Sequence, residues 1–218
     1  MRVNVRFWVV IFLCTIFSVD SFAQRVYVDA TGNAVIDCSG MPEGSVKSAE
    51  ELSASKTVGG RVRRHQQDAL VGNEQGTHIT GTHGTTALYV NAKVSRKFIV
   101  APADVGRMYW SAASGWDAAA DDESHGNTGT ANSGCASYSV NGLGVGGWRL
   151  PTRRELEIIY AHKGQLEKVG GFTKFTSYGY WSATEHSGGY SWDVYFDDGM
   201  VNAYGKERRT DIRCVWDL

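Results

Sequence analysis

The sequence predicts an α+β fold, with a small twisted antiparallel sheet and one main capped helix, preceded by a β-leaning N-terminal region. Its 26 glycines, 7 tryptophans and only 3 prolines are typical of a chain with many turns and an aromatic, β-rich interior. Residues 148–160 have the pattern of a short strand followed by an amphipathic helix. Asp198-Gly199, which stands between two alternating segments, is a strong hairpin signal.

The first 23 residues are typical of a secretory signal peptide. Arg2 and Arg6 precede the apolar run 7–17, and residues 21–23 supply a small-x-small cleavage site that ends at Ala23. The apolar run is too short for a membrane-spanning helix. We therefore predict a secreted protein without a membrane span, located in the periplasm or at the cell surface after cleavage near Ala23.

The N-terminal half differs in composition from the C-terminal half. Arg25–Asp29 and Thr86–Val94 have strand-like composition, and the sequence between them is rich in Gly, Ser and Thr. A further strand begins near Lys97 and is stopped by Pro102. These features predict a β-leaning region over residues 24–96, either a separate module or an ordered extension, and a second domain over residues 97–218.

The main helix is predicted from its start signal. Thr152 and Glu155 have capping-box spacing, so each side chain can satisfy an open backbone N–H. Leu156, Ile159 and Tyr160 then fall on one face, which predicts a buried side. The periodicity ends near His162, or resumes briefly through residue 166.

The last forty residues are predicted to be strands that close a single sheet. The predicted segments are 180–183, 191–196, 200–204 and 211–216. Alternation in the second segment places Trp192 and Val194 on one face and Asp193 and Tyr195 on the other. Trp181 and Trp192 are expected in the core.

No metal or catalytic site is predicted. His78 and His83 come close in a Gly-Thr-His repeat, but no further zinc ligands stand nearby. The acidic loop 121–133 lacks the spacing of an EF-hand. Serine-nucleophile, zinc-helix and Cys-x-x-Cys signatures do not occur. We therefore expect a non-enzymatic protein without a cofactor, and the net charge of −1 gives no reason to expect a nucleic-acid partner.

Four ordered motifs carry a family resemblance. They are Gly-Trp-Arg-Leu-Pro-Thr-Arg-Arg-Glu-Leu at 147–156, Tyr-Trp-Ser-Ala-Thr-Glu at 180–185, Trp-Asp-Val-Tyr-Phe at 192–196 and Arg-Cys-Val at 213–215. This set resembles the Lcl-C family and the closely related Fibrobacter succinogenes major paralogous domain, over about residues 97–218. The resemblance implies a C-type-lectin-like fold, which formylglycine-generating enzymes share, and a surface role that in some members is glycan adhesion.

The resemblance also implies a disulfide. C-type-lectin-like domains tie an early helical region to the closing strand, which here corresponds to Cys135 and Cys214. Export favours oxidation, and Cys38 is then left free or paired between chains. Three reduced, buried cysteines are the alternative.

A binding role needs exposed aromatic faces and planar polar groups on loops. The candidate ligand-binding residues lie near the hairpin and the Gly188-Gly189 loop, with a basic run beside them that suits an acidic polysaccharide. They are Glu185, His186, Tyr190, Asp193, Asp197, Asp198, Lys206, Arg208 and Arg209. The calcium-binding loop motifs of true C-type lectins are absent, so we expect any glycan binding to persist in chelator.

Three functions follow from these observations. The first is an exported adhesin-type module that recognises a glycan or host surface component, with a place in a fimbrial assembly. The second is a structural subunit that uses the same fold only to contact other surface-assembly subunits. The third is an oxidase of the formylglycine-generating type, which requires a solvent-reachable cysteine pair and copper.

Overall fold

The computed structural model describes residues 24–46, 57–58, 61–62, 94–114, 134–187 and 190–218, with residues 57–58, 61–62, 111, 114 and 185–187 described by backbone alone. Two five-stranded sheets and three short α-helices form the framework of these residues. The predicted α+β class is compatible with this architecture. The prediction of one sheet is wrong, because the strands divide between two.

The first sheet has the order β1-β2-β5-β12-β7, and all of its pairs are antiparallel. The predicted strands near Arg25 and Lys97 are both present, whereas β2 was not predicted. The strand bounds are β1 Arg25–Val28, β2 Ala34–Asp37, β5 Lys97–Val100, β7 Trp148–Arg149 and β12 Val215–Asp217.

The second sheet has the order β10-β9-β8-β11-β6 and contains one parallel pair, β11 with β8. The turn at Asp198-Gly199 joins β9 to β10, as the sequence predicts, and Gly199 has the positive φ of 81° that such a turn requires. The strand bounds are β6 Gly106–Met108, β8 Gly179–Ser187, β9 Tyr190–Tyr195, β10 Val201–Gly205 and β11 Thr210–Ile212. A separate two-stranded ribbon pairs β3 Thr57–Val58 with β4 Arg61–Val62.

The helices are α1 Trp110–Ser114, α2 Arg153–Ala161 and α3 Lys163–Leu166. The predicted capping box is confirmed: Thr152 accepts a hydrogen bond from the Glu155 backbone, and Glu155 accepts one from the Thr152 backbone. Leu156 and Ile159 are buried, and they pack in a core cluster with Tyr180 and Val194 of the second sheet. Within the described residues, no helix is long and apolar enough to cross a membrane.

The predicted closing strand 211–216 is in fact two strands. The chain leaves the second sheet after Ile212 and enters the first at Val215. Arg213 and Cys214 occupy the transition, and both are fully buried. A buried guanidinium between two strands that belong to different sheets cannot be inferred from the alternation of apolar residues alone.

The expected disulfide is confirmed. Cys135 and Cys214 are bonded, with their Cα atoms 5.6 Å apart, and both are buried. Cys38 is unpaired and buried, and burial, followed by the charges of Glu155 and Asp37, raises the pKa of its thiol to about 12.

The N-terminal strands join the C-terminal ones directly. β2 pairs with β5 from Ala34–Val100 to Asp37–Lys97, so strands from both sides of residue 96 share one sheet. The division into 24–96 and 97–218 remains a prediction about independent folding. Several other predictions fall on residues outside the description: the signal peptide 1–23, most of the strand near 86–94, the two histidines and the acidic loop 121–133.

Candidate functional site

The Gly-Trp-Arg-Leu-Pro motif forms a buried ionic cluster. Arg149 is 1% exposed and donates to both carboxylate oxygens of Glu155, at 2.6 and 2.9 Å. It also donates to both carboxylate oxygens of Asp217, at 2.5 and 3.0 Å. Ser95 completes the cluster, because its backbone N–H donates to Glu155 at 3.0 Å and its hydroxyl to Asp217 at 2.7 Å. Burial alone would lower the pKa of Arg149, but Asp217 and Glu155 raise it well above its ordinary value. These residues join α2 to the first sheet and offer no surface to a ligand.

A second buried arginine has the same kind of role. Arg213 donates to Asp104 at 2.6 Å and to the Ala101 carbonyl at 3.1 Å. Its guanidinium lies 4.8 and 4.3 Å from the ring centroids of Phe172 and Phe175. The Arg-Cys-Val motif is therefore also structural.

One face of the second sheet carries a buried acid at its centre. Asp193, on β9, lies opposite Trp181 of β8 and Asn202 of β10. Because side chains on one strand alternate between faces, Ser191 and Tyr195 lie on the same face as Asp193. This arrangement places aromatic and polar side chains around the carboxyl group.

Asp193 has no counter-charge among the described residues. It is fully buried, and among the described residues neither carboxylate oxygen finds a hydrogen bond. Burial raises the pKa of Asp193 to about 7. The carboxyl group leans across the sheet towards Gly179, where an added Cβ would lie 2.3 Å from one of its oxygens. Only a glycine leaves room for the carboxyl group there.

We use the name tyrosine face for four side chains of the second sheet. Tyr195 and Tyr204 share the face of Asp193, whereas Tyr178 directly precedes β8 and Arg107 lies on the edge strand β6. Arg107 lies 4.8 Å from the Tyr178 ring centroid, and Tyr204 lies 5.9 Å from the buried Trp181 ring. Tyr178 is 55% exposed, whereas Tyr195 and Tyr204 are half-buried. Burial, and then the charges of Asp193, Tyr204 and Asp197, raise the pKa of Tyr195, with Arg107 opposing them. The Tyr195 hydroxyl therefore stays protonated at neutral pH and can donate a hydrogen bond.

A family model matches this part of the chain. The Lcl C-terminal domain covers residues 102–216, which is just over half of the 218 residues. The chain belongs to the Lcl C-terminal domain family. No curated protein sequence matches the chain significantly.

The Lcl C-terminal domain match includes the whole second sheet, both buried arginines and the disulfide, but not β1, β2 or β5, and Ser95 and Asp217 of the Arg149 cluster lie outside it. Every residue of the tyrosine face lies within it. The first sheet is thus built from two strands of the matched domain and three strands that precede it.

The predicted site residues are divided between two ends of β9. Tyr190 is 51% exposed at the start of the strand, next to Gly205. Asp197 and Asp198 are exposed in the turn at the other end, where backbone N–H groups bond their carboxylates. Asp193 lies between them, buried, and so does not present its carboxyl group to solvent. The structure therefore does not bring these four residues into one cluster.

The basic residues also separate. Lys206 is 1% exposed, with its ammonium 4.4 Å from the Trp110 ring centroid. It is buried because residues 206–209 must cross β9 and β8 to connect β10 with β11. Arg208 and Arg209 remain exposed. Arg208 lies 3.4 Å from Glu207, and the Arg209 guanidinium lies 5.0 Å from the Tyr109 ring centroid.

Two predicted residues are placed by backbone alone. Glu185 and His186 lie in the last part of β8, where Glu185 is opposite Ser191. Their side chains, and Gly188-Gly189, lie outside the described residues. Within the described residues, His, Cys, Asp and Glu side chains form no group of three that could hold a metal ion.

Sequence reasoning missed most of the tyrosine face. Alternation places Tyr195 beside Asp193, and the Asp198-Gly199 turn fixes the register that brings Tyr204 to the same face. Arg107 and Tyr178 carry no such local signal, since they are 71 positions apart in the sequence and meet only through the pairing of β6 with β11 and β11 with β8.

Proposed function

We propose that this chain is an exported, non-catalytic binding module of the Lcl C-terminal domain family, which recognises a glycan through the tyrosine face. A C-type-lectin-like fold is part of the proposal. It is supported by the disulfide that joins the region before α2 to the segment entering the last strand, and by the family resemblance of the four motifs.

The observation that carries the proposal is the stacking of Arg107 on the exposed Tyr178 ring, 4.8 Å from its centroid, with the charge of Arg107 also acting on the Tyr195 hydroxyl. Aromatic rings can accept the C–H faces of a sugar ring, while hydroxyl and guanidinium groups bond its oxygens. The Tyr195 and Tyr204 rings stand on β9 and β10, which hold them more rigidly than loops would, and Tyr178 directly precedes β8. The Arg107 side chain is 52% exposed and its Nε lies 3.5 Å from Asp211, and its remaining N–H groups suit a carboxylate or sulfate on an acidic sugar.

A non-catalytic, exported role has separate support. The two cysteines that an oxidase of the formylglycine-generating type would need as a reactive pair are here buried and joined to each other. A disulfide suits the oxidising conditions outside the cytoplasm, in agreement with the N-terminal segment, whose charge and hydropathy are typical of a signal peptide.

The test is a glycan array, followed by titration of the strongest ligand. Tyr178→Ala and Arg107→Gln are each expected to weaken binding about tenfold or more, as central aromatic and arginine contacts do. Tyr190→Ala is the matched control, because Tyr190 is also exposed but lies at the other end of β9 from Tyr178, whose carbonyl accepts from the Phe196 N–H. Binding should persist in chelator.

Two results would overturn the proposal. The first is silence across the array with correctly folded protein. The second is a loss of binding in Tyr190→Ala that is absent in Tyr178→Ala, which would place the ligand at the β8–β9 loop instead.

A structural subunit is the second candidate, and the edge of the first sheet favours it. β1 is the terminal strand of that sheet, and Val28 on it is 51% exposed. An edge strand can accept a further strand from another protein. A silent array together with a stable partner, whose binding is lost in Val26→Pro, would support this function.

A further inference from the structure

A pocket lies between the turn that joins β1 to β2 and three loops of the matched domain. Its volume is about 250 Å³. Asn33 lines it from the N-terminal turn, and Pro102, Asn141 and Phe172 line it from the other side. We call this the seam pocket, because residues 32–34 precede the Lcl C-terminal domain match and the remainder lie within it.

The polar wall of the seam pocket is held in place before any ligand arrives. Asn33 is 4% exposed, and its amide nitrogen donates to Thr31 at 2.7 Å and to Asp29 at 3.3 Å. Its amide oxygen therefore faces Asn141, whose nitrogen donates to it at 3.1 Å. An amide oxygen has two lone pairs, so the Asn33 oxygen can accept a second hydrogen bond.

Asn141 is fixed by its own turn. Its φ of 50° and the φ of 78° at Gly142 place both residues in the left-handed region, where Asn and Gly are favoured. Two backbone hydrogen bonds between Val140 and Leu143, at 2.9 and 3.1 Å, close this turn. The Asn141 side chain is thus presented at the pocket by a two-residue hairpin loop.

The composition of the lining limits the class of ligand. None of the lining residues has an ionisable side chain, so the pocket offers no counter-charge to an anion or a cation. Its remaining walls are apolar, from Pro102, Val169 and Phe172, or are glycine backbone. Such walls accept a neutral molecule with hydroxyl groups on one side and C–H groups on the other.

We propose that the seam pocket binds a single neutral sugar ring, with the Asn33 and Asn141 amides contacting its hydroxyls. Its volume is below the roughly 300–1,000 Å³ of pockets that hold drug-sized ligands, which suits a ligand of one ring. The pocket is distinct from the tyrosine face, since no residue is shared between them. It requires the N-terminal turn, so the specificity of this site comes from outside the family domain.

The test is a titration of the isotope-labelled full chain with individual neutral monosaccharides, observed by NMR. The side-chain amide signals of Asn33 and Asn141 and the backbone signals of Gly170 and Gly171 are expected to shift with one of these sugars at millimolar concentration. Asn141→Gly is the informative variant, because glycine keeps the positive φ and removes only the amide. It should weaken binding about 3–10-fold, as loss of one hydrogen bond does.

Gly144→Ala is the matched control, since an added Cβ there meets nothing within 4 Å and the residue does not line the pocket. Shifts confined to Tyr178, Tyr195 and their neighbours, or equal affinity in Asn141→Gly and Gly144→Ala, would overturn the seam-pocket proposal and leave the tyrosine face intact. Pocket shifts that survive in Tyr178→Ala, together with a silent array, would support the seam pocket and reject the tyrosine face.

Discussion

Two buried carboxylates of this domain have opposite surroundings. Glu155, at the start of α2, bonds Arg149 through both oxygens and also caps two backbone N–H groups. Asp193, on β9, is equally buried and has no hydrogen bond to either oxygen among the described residues. Both residues lie within the motifs that carry the family resemblance. One domain therefore contains a buried acid that is paired and a buried acid that is not.

The difference separates a structural role from a candidate functional one. A buried ion pair is not in itself a large source of stability, but removal of one partner leaves an uncompensated charge. Substitution of Arg149 or Glu155 is therefore expected to destabilise the fold, although both side chains are buried away from the surface. An unpartnered buried carboxyl group, in contrast, costs stability at neutral pH, and such groups occur most often where function requires them.

The largest expected effect comes from removing Arg149, which pairs with Glu155 and Asp217. Arg149→Met leaves Glu155 and Asp217 as buried carboxylates without a counter-charge. We expect the free energy of unfolding to fall by roughly 3–5 kcal/mol. Denaturant titration of the full chain measures this change through the shift of the midpoint.

Arg154→Met is the control for that experiment. Arg154 is 47% exposed and pairs with Glu157 at 2.7 Å on the surface of α2. Exposed pairs of this kind contribute about 0–1 kcal/mol. Equal effects of the two substitutions would show that the buried cluster is not what joins α2 to the first sheet.

The next largest effect concerns Asp193, the buried carboxyl group without a hydrogen bond. The pKa of Asp193 is raised to about 7 in the folded state, above the unfolded value of about 3.9. The stability contribution of the neutral acid is therefore fully present below about pH 4 and is lost as pH rises towards 7. Relative to Asp193→Asn, the wild-type free energy of unfolding should fall by roughly 1–4 kcal/mol between pH 4 and pH 8, at about 1.4 kcal/mol per pKa unit.

The same pH series with Asp197→Asn provides the control, since Asp197 is exposed in the turn two residues beyond Tyr195. If wild type and Asp193→Asn keep a constant difference from pH 4 to pH 8, then Asp193 has found a partner in solution and the contrast with Glu155 disappears.

The smallest expected effect concerns the helix cap, in which Thr152 accepts a hydrogen bond from the Glu155 backbone N–H. Thr152→Ala removes the side-chain acceptor of the capping box, whose hydrogen bond from the Glu155 backbone is 3.2 Å long. Loss of such a cap costs about 1 kcal/mol. Thr152→Ser keeps the acceptor and should retain most of the stability, so a deficit as large as that of Thr152→Ala would argue against the cap.

Sequence reasoning succeeded where the signal is local. The helix start at Thr152 and the turn at Asp198-Gly199 each depend on residues within four positions of one another, and both were predicted. The disulfide between Cys135 and Cys214 was implied by the family resemblance rather than by the residues themselves. Alternation correctly placed Asp193 and Tyr195 on one face of β9.

The errors arise where long-range contacts decide the outcome. Asp193 and Lys206 were predicted to reach solvent, but residues 206–209 cross the second sheet and Lys206 lies over Trp110. The two-sheet division at Arg213 has the same origin, since Arg213 is buried by Asp104 and two phenylalanines that are 38 to 109 positions away. No pattern within a strand reports such neighbours.

The position of Asp217 has a consequence for biosynthesis. Arg149 is translated 68 residues before this counter-charge, and β12, which carries Asp217, lies between β5 and β7. A chain that does not yet include residues 215–217 therefore lacks an inner strand of the first sheet and one of the two carboxylates that neutralise Arg149. The pairing of β12 with β5 and β7 is possible only once those residues have been made, and a protease that cuts just before β12 removes an inner strand and a counter-charge in one event.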